Sequence, residues 1–173
     1  MKNKKNQGFT LIELMVTLAI FAFLLSLAAP SFAAWMADLR VRSLANSISY
    51  GVLQARSEAI RINQPVSFQL NPDSSWSVFV DSNNQIINQK DAKEFSQATQ
   101  INTNGSNIVT FDGFGFVIPN PDGSTSLSTV NVTTGTNFQA VEPLNVEIGF
   151  GGVVLVCDPQ VSVSSDPRYC SNV

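Results

Sequence analysis

Between residues 14 and 37 the chain carries no charged side chain: LMVTLAIFAFLLSLAAPSFAAWMA. A helix needs roughly 20 residues to cross the hydrocarbon of a bilayer, so this run is long enough. Lys2, Lys4 and Lys5 precede it, and lysines gather on the cytoplasmic side of a span. The pattern predicts a cytoplasmic N-terminus, a spanning helix, and everything after Asp38 outside the cytoplasm. A secretory signal peptide is the competing reading. It also has a basic head and an apolar centre, and Ser31-Phe32-Ala33 before Ala34 resembles a small-residue cleavage site. The length of the run counts against it, as does Glu13, one turn inside its start.

A carboxylate near the apolar core of a membrane costs on the order of 2 to 3 kcal/mol, and such acids have partners. No cation in this segment is placed to neutralise Glu13. Cleavage between Gly8 and Phe9 would remove all three lysines and expose an ammonium on Phe9. That amine is a partner for Glu13 of its own or a neighbouring chain.

These residues carry a family resemblance. Gly8-Phe9-Thr10-Leu11-Ile12-Glu13 and the LMVTLAI that follows closely resemble the leader junction and N-terminal helix of type IV pilins and type II secretion pseudopilins. The resemblance implies that a prepilin peptidase removes residues 1–8 and methylates Phe9. It gives Glu13 the family's assembly glutamate, and Pro30 the proline that loosens the family's helix. Residues 9–37 are then the transmembrane and assembly helix.

The helical pattern continues past the membrane. Val41, Leu44, Ala45, Ile48, Val52, Ala55, Ala59 and Ile62 recur at spacings of three and four, which marks one apolar face. Arg40, Arg42, Gln54, Arg56, Glu58 and Arg61 lie off it, and the stripe is expected to pack on its own domain. Asn63-Gln64-Pro65 ends the helix, because proline disfavours helix at the preceding residue. One helix of about fifty residues is predicted, interrupted at Pro30, with 38–63 as its amphipathic part. Ala55-Arg56-Ser57-Glu58-Ala59 resembles a motif of the GspH/FimT branch of the family.

From Pro65 the pattern changes to strands. Val66, Phe68 and Leu70 alternate, then Trp76, Val78 and Val80 beyond a turn at Asn71-Pro72-Asp73. Residues 108–111 and 114–118 flank Asp112-Gly113, a hairpin signal. Asn120-Pro121-Asp122-Gly123 is a further turn. Leu144, Val146, Ile148 and Phe150 alternate before Gly151-Gly152, and a strand over 153–156 ends at Cys157. Residues 82–106 are polar and read as a loop with an edge strand around Ile86-Ile87. Six to eight strands in two antiparallel sheets, or one curved sheet, are expected. The fold class is α+β, a long helix on a β-rich domain over 64–173, as the resemblance also implies.

Composition narrows the chemistry. Histidine is absent, which removes the commonest general base and metal ligand. No Ser-x-x-Lys motif is present, and acid clusters with calcium-loop spacing are missing. The glycines of Gly113-Phe114-Gly115 and Gly149-Phe150-Gly151-Gly152 join strands to strands, so they read as turns and not phosphate loops. No catalytic, cofactor or metal site is expected. Cys157 and Cys170 enclose twelve residues with little apolar content. A disulfide there would stabilise by about 3 kcal/mol. A pair of free thiols is the alternative, although nothing basic lies beside Cys157 to activate it. A C-terminal disulfide loop resembles that of FimU and FimT minor pilins.

Some FimT-type pilins bind DNA through a C-terminal Gly-Arg-x-Arg motif. The matching stretch here is Gly152-Val153-Val154-Leu155, without either arginine. After Ile62 the cations are Lys90, Lys93 and Arg168. Removal of residues 1–8 takes Lys+Arg from 10 to 7 against 13 acids, a formal charge of -6. Tracking phosphates needs clustered cations, so DNA is not an expected partner. The resemblance implies a structural subunit, a minor pilin that joins other minor pilins and the major pilin in a complex priming pilus assembly. It would lie in inner-membrane lipid before entering the fibre at the cell surface. The type II secretion pseudopilin GspH and a DNA-capturing pilin are the alternatives.

Overall fold

The computed structural model describes residues 9–92, 99–135 and 141–171, with only the backbone of Ala28 and Pro30. It divides into two compact units, Met1–Met36 and Ala37–Val173. Helix α1, Leu11–Ile62, contributes to both.

In the first unit α1 has no polar face. Leu14, Met15, Leu18, Phe21, Leu25 and their neighbours are all exposed. A helix apolar on every side finds its burial in lipid or among other helices. No single helix among the described residues is long and apolar enough to cross a membrane. The segments Leu11–Leu27 and Ser31–Ile62 meet that requirement only together, by length and composition. Pro30 falls in the break between them.

In the second unit α1 is amphipathic. Val41, Leu44, Ala45, Ile48, Val52, Ala55 and Ala59 are fully buried, so the stripe packs on its own domain. Gly51 lies where a Cβ would meet the Phe68 ring at 2.6 Å and the Trp76 ring at 3.1 Å. Its missing side chain lets the helix backbone approach the sheet. Trp76 Nε1 donates to Ser47 Oγ at 3.0 Å, which satisfies the one polar atom of that ring. The helix stops at Asn63, whose φ of 51° is left-handed, followed by Pro65. Asparagine is one of the residues that accept that conformation at a helix end.

Nine strands follow among the described residues: β1 Val66–Leu70, β2 Trp76–Val80, β3 Gln85–Lys90, β4 Thr99–Thr103, β5 Ile108–Phe111, β6 Val117–Ile118, β7 Thr129–Thr134, β8 Leu144–Ile148 and β9 Val154–Cys157. They form two antiparallel sheets, ordered β3-β2-β1-β5-β6 and β4-β7-β8-β9. Phe68 pairs with Val78 on one side and Val109 on the other. Phe68, Val78, Val109 and Phe111 from the first sheet share one core with Val130, Val132 and Val146 from the second, and with the helix stripe.

Two sequence expectations differ in detail. The strand expected over 114–118 is only Val117–Ile118, because residues 112–116 form a turn. Asp112 Oδ1 accepts from the backbone N–H of Phe114 and of Phe116, both at 2.9 Å. The left-handed residue there is Gly115, φ 83°, and not Gly113. Strands β4 and β7 are additions to the six to eight expected. Each is mostly Thr, Asn and Gln, with Ile101 in β4 and Val130 and Val132 in β7 as the inward apolar residues. The edge strand around Ile86-Ile87 is β3.

Candidate functional site

The N-terminus of α1 is closed by its own side chains. Thr10 Oγ1 accepts from the Glu13 N–H at 3.3 Å. Glu13 Oε2 in turn accepts from Thr10 N at 3.0 Å and Thr10 Oγ1 at 2.9 Å. This reciprocal pair is a capping box, which satisfies donors that a helix start otherwise leaves open. Sequence supplied no cation for Glu13 within its segment; the partner it has there is the uncharged Thr10, three residues away. The threonine three positions before a glutamate was the available signal. Phe9 precedes the cap and is 90% exposed. Gly8 lies outside the described residues.

A second constellation, in the second unit, was not foreseen from sequence. Arg56 leaves the helix and donates from Nε to Gly115 O at 3.1 Å and from Nη1 to Gly152 O at 3.0 Å. One guanidinium fork thereby joins the helix, the β5–β6 turn of the first sheet and the β8–β9 turn of the second. Both glycines have positive φ, 83° and 73°; a Cβ on Gly115 would strike Ile60 and crowd Arg56, and one on Gly152 would strike Gly115 O and Arg56. Val117 N donates to Phe150 O at 3.0 Å across the same seam. The turns so joined expose Phe114, Phe116, Phe150 and Val153. The glycine-rich segments are turns, as expected. Val153 is the exposed residue after Gly152, in the stretch where an arginine motif would stand.

Cys157 and Cys170 are bonded, with Cα atoms 5.1 Å apart. Asp158 N donates to Arg168 O at 2.8 Å beside the bond. Asp166 accepts from Arg168 at backbone N (2.9 Å), Nε (3.2 Å) and Nη2 (3.0 Å). That neighbour holds the Asp166 carboxyl below its ordinary value, chiefly through its side-chain hydrogen bonds. Arg168 is therefore already engaged by a carboxylate. Lys93 lies outside the described residues, and Lys90 has a partner of its own.

Glu147 is buried next to the disulfide, and its carboxylate with the two sulfurs forms one compact group of metal-ligand type. Metals bind the thiolate, and both sulfurs are committed to the bond. A cleft of about 170 Å³ lies nearby, lined by Arg42, Asn46, Glu142, Asp158 and Arg168 among others. Its arginines are paired outward, Arg42 to Asp38 at 2.8 Å and Arg168 to Asp166. Balanced charge of this kind marks a solvated seam and carries no acid–base or nucleophilic constellation.

An apolar helix joined to an amphipathic helix on two antiparallel sheets is the type IV pilin-like architecture. Residues 3–29 match the prokaryotic N-terminal methylation motif. Residues 44–152, well over half of the chain, match the type II transport protein GspH family, and the chain belongs to that family. Its members are structural pilin and pseudopilin proteins, not enzymes. Among solved structures, the type IV minor pilin FimU of Pseudomonas aeruginosa aligns with a TM-score of 0.53 and 18% identity, over 71% of this chain and 95% of that one. The minor pseudopilin EpsH from the type 2 secretion system of Vibrio cholerae aligns with a TM-score of 0.54 and 15% identity, over 70% and 99%. At these identities the likeness is one of fold. No curated protein sequence matches the chain.

Proposed function

We propose that this chain is a minor pilin, a structural subunit of a type IV pilus tip complex that primes assembly. The observation that carries the reading is the contrast between its two units. The second completes its own core, whereas the first leaves every apolar face of α1 uncovered. Such a chain is built to pass from lipid into a bundle of like helices, where the same faces are buried again.

In this reading residues 1–8 are a leader removed after Gly8. Residues 9–37 are the membrane and assembly helix, with Pro30 at its loosened point. Residues 64–173 lie in the periplasm and then on the fibre. The matched methylation motif supports processing at Phe9. The Thr10 cap occupies Glu13 Oε2 and leaves Oε1 for the Phe9 ammonium of the same or a neighbouring chain. Other minor pilins, the major pilin and the prepilin peptidase are the partners.

A second reading, the pseudopilin of a type II secretion system, is favoured by the description of the matched family and by the likeness to EpsH. DNA capture is disfavoured by Val153 and Leu155 in the arginine positions and by the pairing of Arg168 with Asp166.

The test deletes the chain in its own cell and complements it with wild type or Glu13→Ala. Loss of surface pili with intact protein secretion, restored by wild type alone, is the expected result. Lost secretion with normal piliation would replace the pilus by the secretion apparatus. Mass spectrometry of the mature protein should find a methylated Phe9 at its N-terminus; an N-terminus at Ala34 would refute the processing scheme.

A further inference from the structure

The outward face of the first sheet contains a buried hydroxyl chain one proton short of complete. Alternation along β1 turns Val66, Phe68 and Leu70 to the core and Ser67 away from it. Ser67 and its β5 neighbour Thr110 are nonetheless fully buried. Three oxygen-to-oxygen contacts run through them. Asp81 Oδ1 to Ser67 Oγ is 2.6 Å, Ser67 Oγ to Thr110 Oγ1 is 2.7 Å, and Thr110 Oγ1 to Asn120 Oδ1 is 3.0 Å.

The protons can be counted. Asn120 Nδ2 faces the carbonyl oxygens of Ile108 at 3.0 Å and Thr125 at 3.1 Å. Both require N–H, which fixes Asn120 Oδ1 as a pure acceptor. Thr110 then gives its single hydroxyl proton to Asn120; Ser67, which can donate to Asp81 Oδ1, must turn its own proton to Thr110 if all three contacts are to be hydrogen bonds. With both hydroxyl protons spent, the Asp81–Ser67 contact needs a proton from the acid. If Asp81 is ionised, one of the three contacts is oxygen against oxygen with no hydrogen between.

Among the described residues, those lining the cleft beside Asp81 supply no counter-charge. Asp81 Oδ2 is buried without a hydrogen-bond partner among the described residues. The cleft beside it is lined by Ser67, Phe79, Asp81, Asn84, Ile108, Pro121 and Asp122, with no cation. Asp122 is the other titratable group facing that cleft. Hydrogen bonds from Ser124, first from its side chain and then from its backbone N–H to Oδ1 at 2.9 Å, hold the Asp122 carboxyl below its ordinary value.

We propose that Asp81 is a proton-binding switch: protonated, it donates to Ser67 and completes a relay through Thr110 to Asn120, and its deprotonation unlocks the turn over residues 120–125. Asn120 is the lever. Its amide reaches Ile108 in β5, Ser124 and Thr125, so a break in the relay is felt at the exposed turn. Burial independently pushes the Asp81 carboxyl above its ordinary 3.8 and outweighs the opposing hydrogen bond from Ser67. The relay lies wholly within the second unit and stands whether or not the chain serves a pilus.

The experiment is a carboxyl-carbon NMR titration of the full chain in detergent micelles, followed together with the Asn120 side-chain amide. Asp81 is expected to titrate above 3.8, and the Asn120 signals to share its midpoint. Thr110→Val decides between the relay and simple burial. It removes the competitor for the Ser67 proton, so the Asp81 midpoint should fall toward 3.8; burial alone would leave it in place or raise it. In Asp81→Asn the amide supplies a permanent donor, and the Asn120 signals should lose their dependence on pH. A midpoint at or below 3.8 in the wild type, a midpoint unmoved by Thr110→Val, or Asn120 signals that follow Asp122 instead would each overturn the proposal. The wild-type and Thr110→Val titrations carry the test if Asp81→Asn does not fold.

Discussion

Arg56 Nη1 stands 3.0 Å from the carbonyl oxygen of Gly152, ninety-six residues further along the chain. With its second bond to Gly115, this side chain ties the helix to a turn of each sheet, which no backbone ladder does. Hydrogen bonds to charged groups contribute roughly 1.5 to 3 kcal/mol, less where water reaches them. Arg56→Ala should therefore lower the unfolding free energy of the full chain in micelles by about 2 to 4 kcal/mol. Arg56→Lys should recover little, because an ammonium cannot span two carbonyls as the planar fork does. Urea unfolding followed by Trp76 fluorescence measures both.

Two glycines with nearly the same backbone separate strain from collision. Gly123 has φ 76° and Gly152 φ 73°. A Cβ on Gly123 would meet nothing within 4 Å, whereas one on Gly152 would strike Gly115 O and lie 2.7 Å from Arg56 Nε. Left-handed backbone costs an L-residue roughly 1 to 2 kcal/mol. Gly123→Ala should lose about that much, and Gly152→Ala clearly more, with only part of the excess relieved in an Arg56→Ala background, because the clash with Gly115 O remains. Equal losses in the two alanine variants would mean that the turn yields without disturbing the clamp.

The helix was legible because its signals agree: an uncharged run, then a three-four stripe from Val41 to Ala59, then Asn63-Gln64-Pro65. All seven residues of the stripe from Val41 to Ala59 are fully buried. Strands β1, β2, β8 and β9 were legible for the same reason, since Val, Phe and Leu alternate strictly in them or run together. Strand β7 was not. Its burial rests on Val130 and Val132 alone, and four Thr and Asn neighbours read as loop. Tertiary pairing between β4 and β8 supplies what local pattern does not. The cysteine pair could be proposed from a twelve-residue spacing and a poor apolar content. The Arg56 clamp could not, because it depends on two turns meeting over the helix. Glu13 was recognised by motif, but its uncharged partner Thr10 was passed over in the search for a charge.

Acid should loosen the C-terminal loop only below the ordinary carboxyl range. Asp166 is held below 3.8 by Arg168. A group with a depressed folded-state value lends stability above its unfolded value and loses it as pH falls through the folded one. The Arg168 amide and guanidinium NMR signals should therefore stay constant from neutral pH down past 3.8 and move below it. Asp166→Asn retains an acceptor for the Arg168 N–H but no charge, and should flatten that acid limb. An Arg168 transition above 3.8 would place its control elsewhere.

The disulfide closes this loop at its other end. Among residues 158–169, the side chains of Gln160, Ser162, Val163, Ser164, Pro167 and Arg168 are among those that point outward, so little apolar burial holds the segment. A cross-link around a loop of this size contributes about 3 kcal/mol by restricting the unfolded chain. Cys157→Ser combined with Cys170→Ser should cost about that much in unfolding free energy. The core should survive, because strand β9 keeps its register with β8 from Val154 to Val156. The loss should therefore appear as proteolytic nicking within 158–169 before any cut in 37–92. Denatured but unreduced wild type should leave both cysteines unlabelled by a thiol reagent, and reduction should expose two. Labelling without reduction would remove the bond from the mature protein, and simultaneous cleavage of loop and core would show that the bond holds the whole domain.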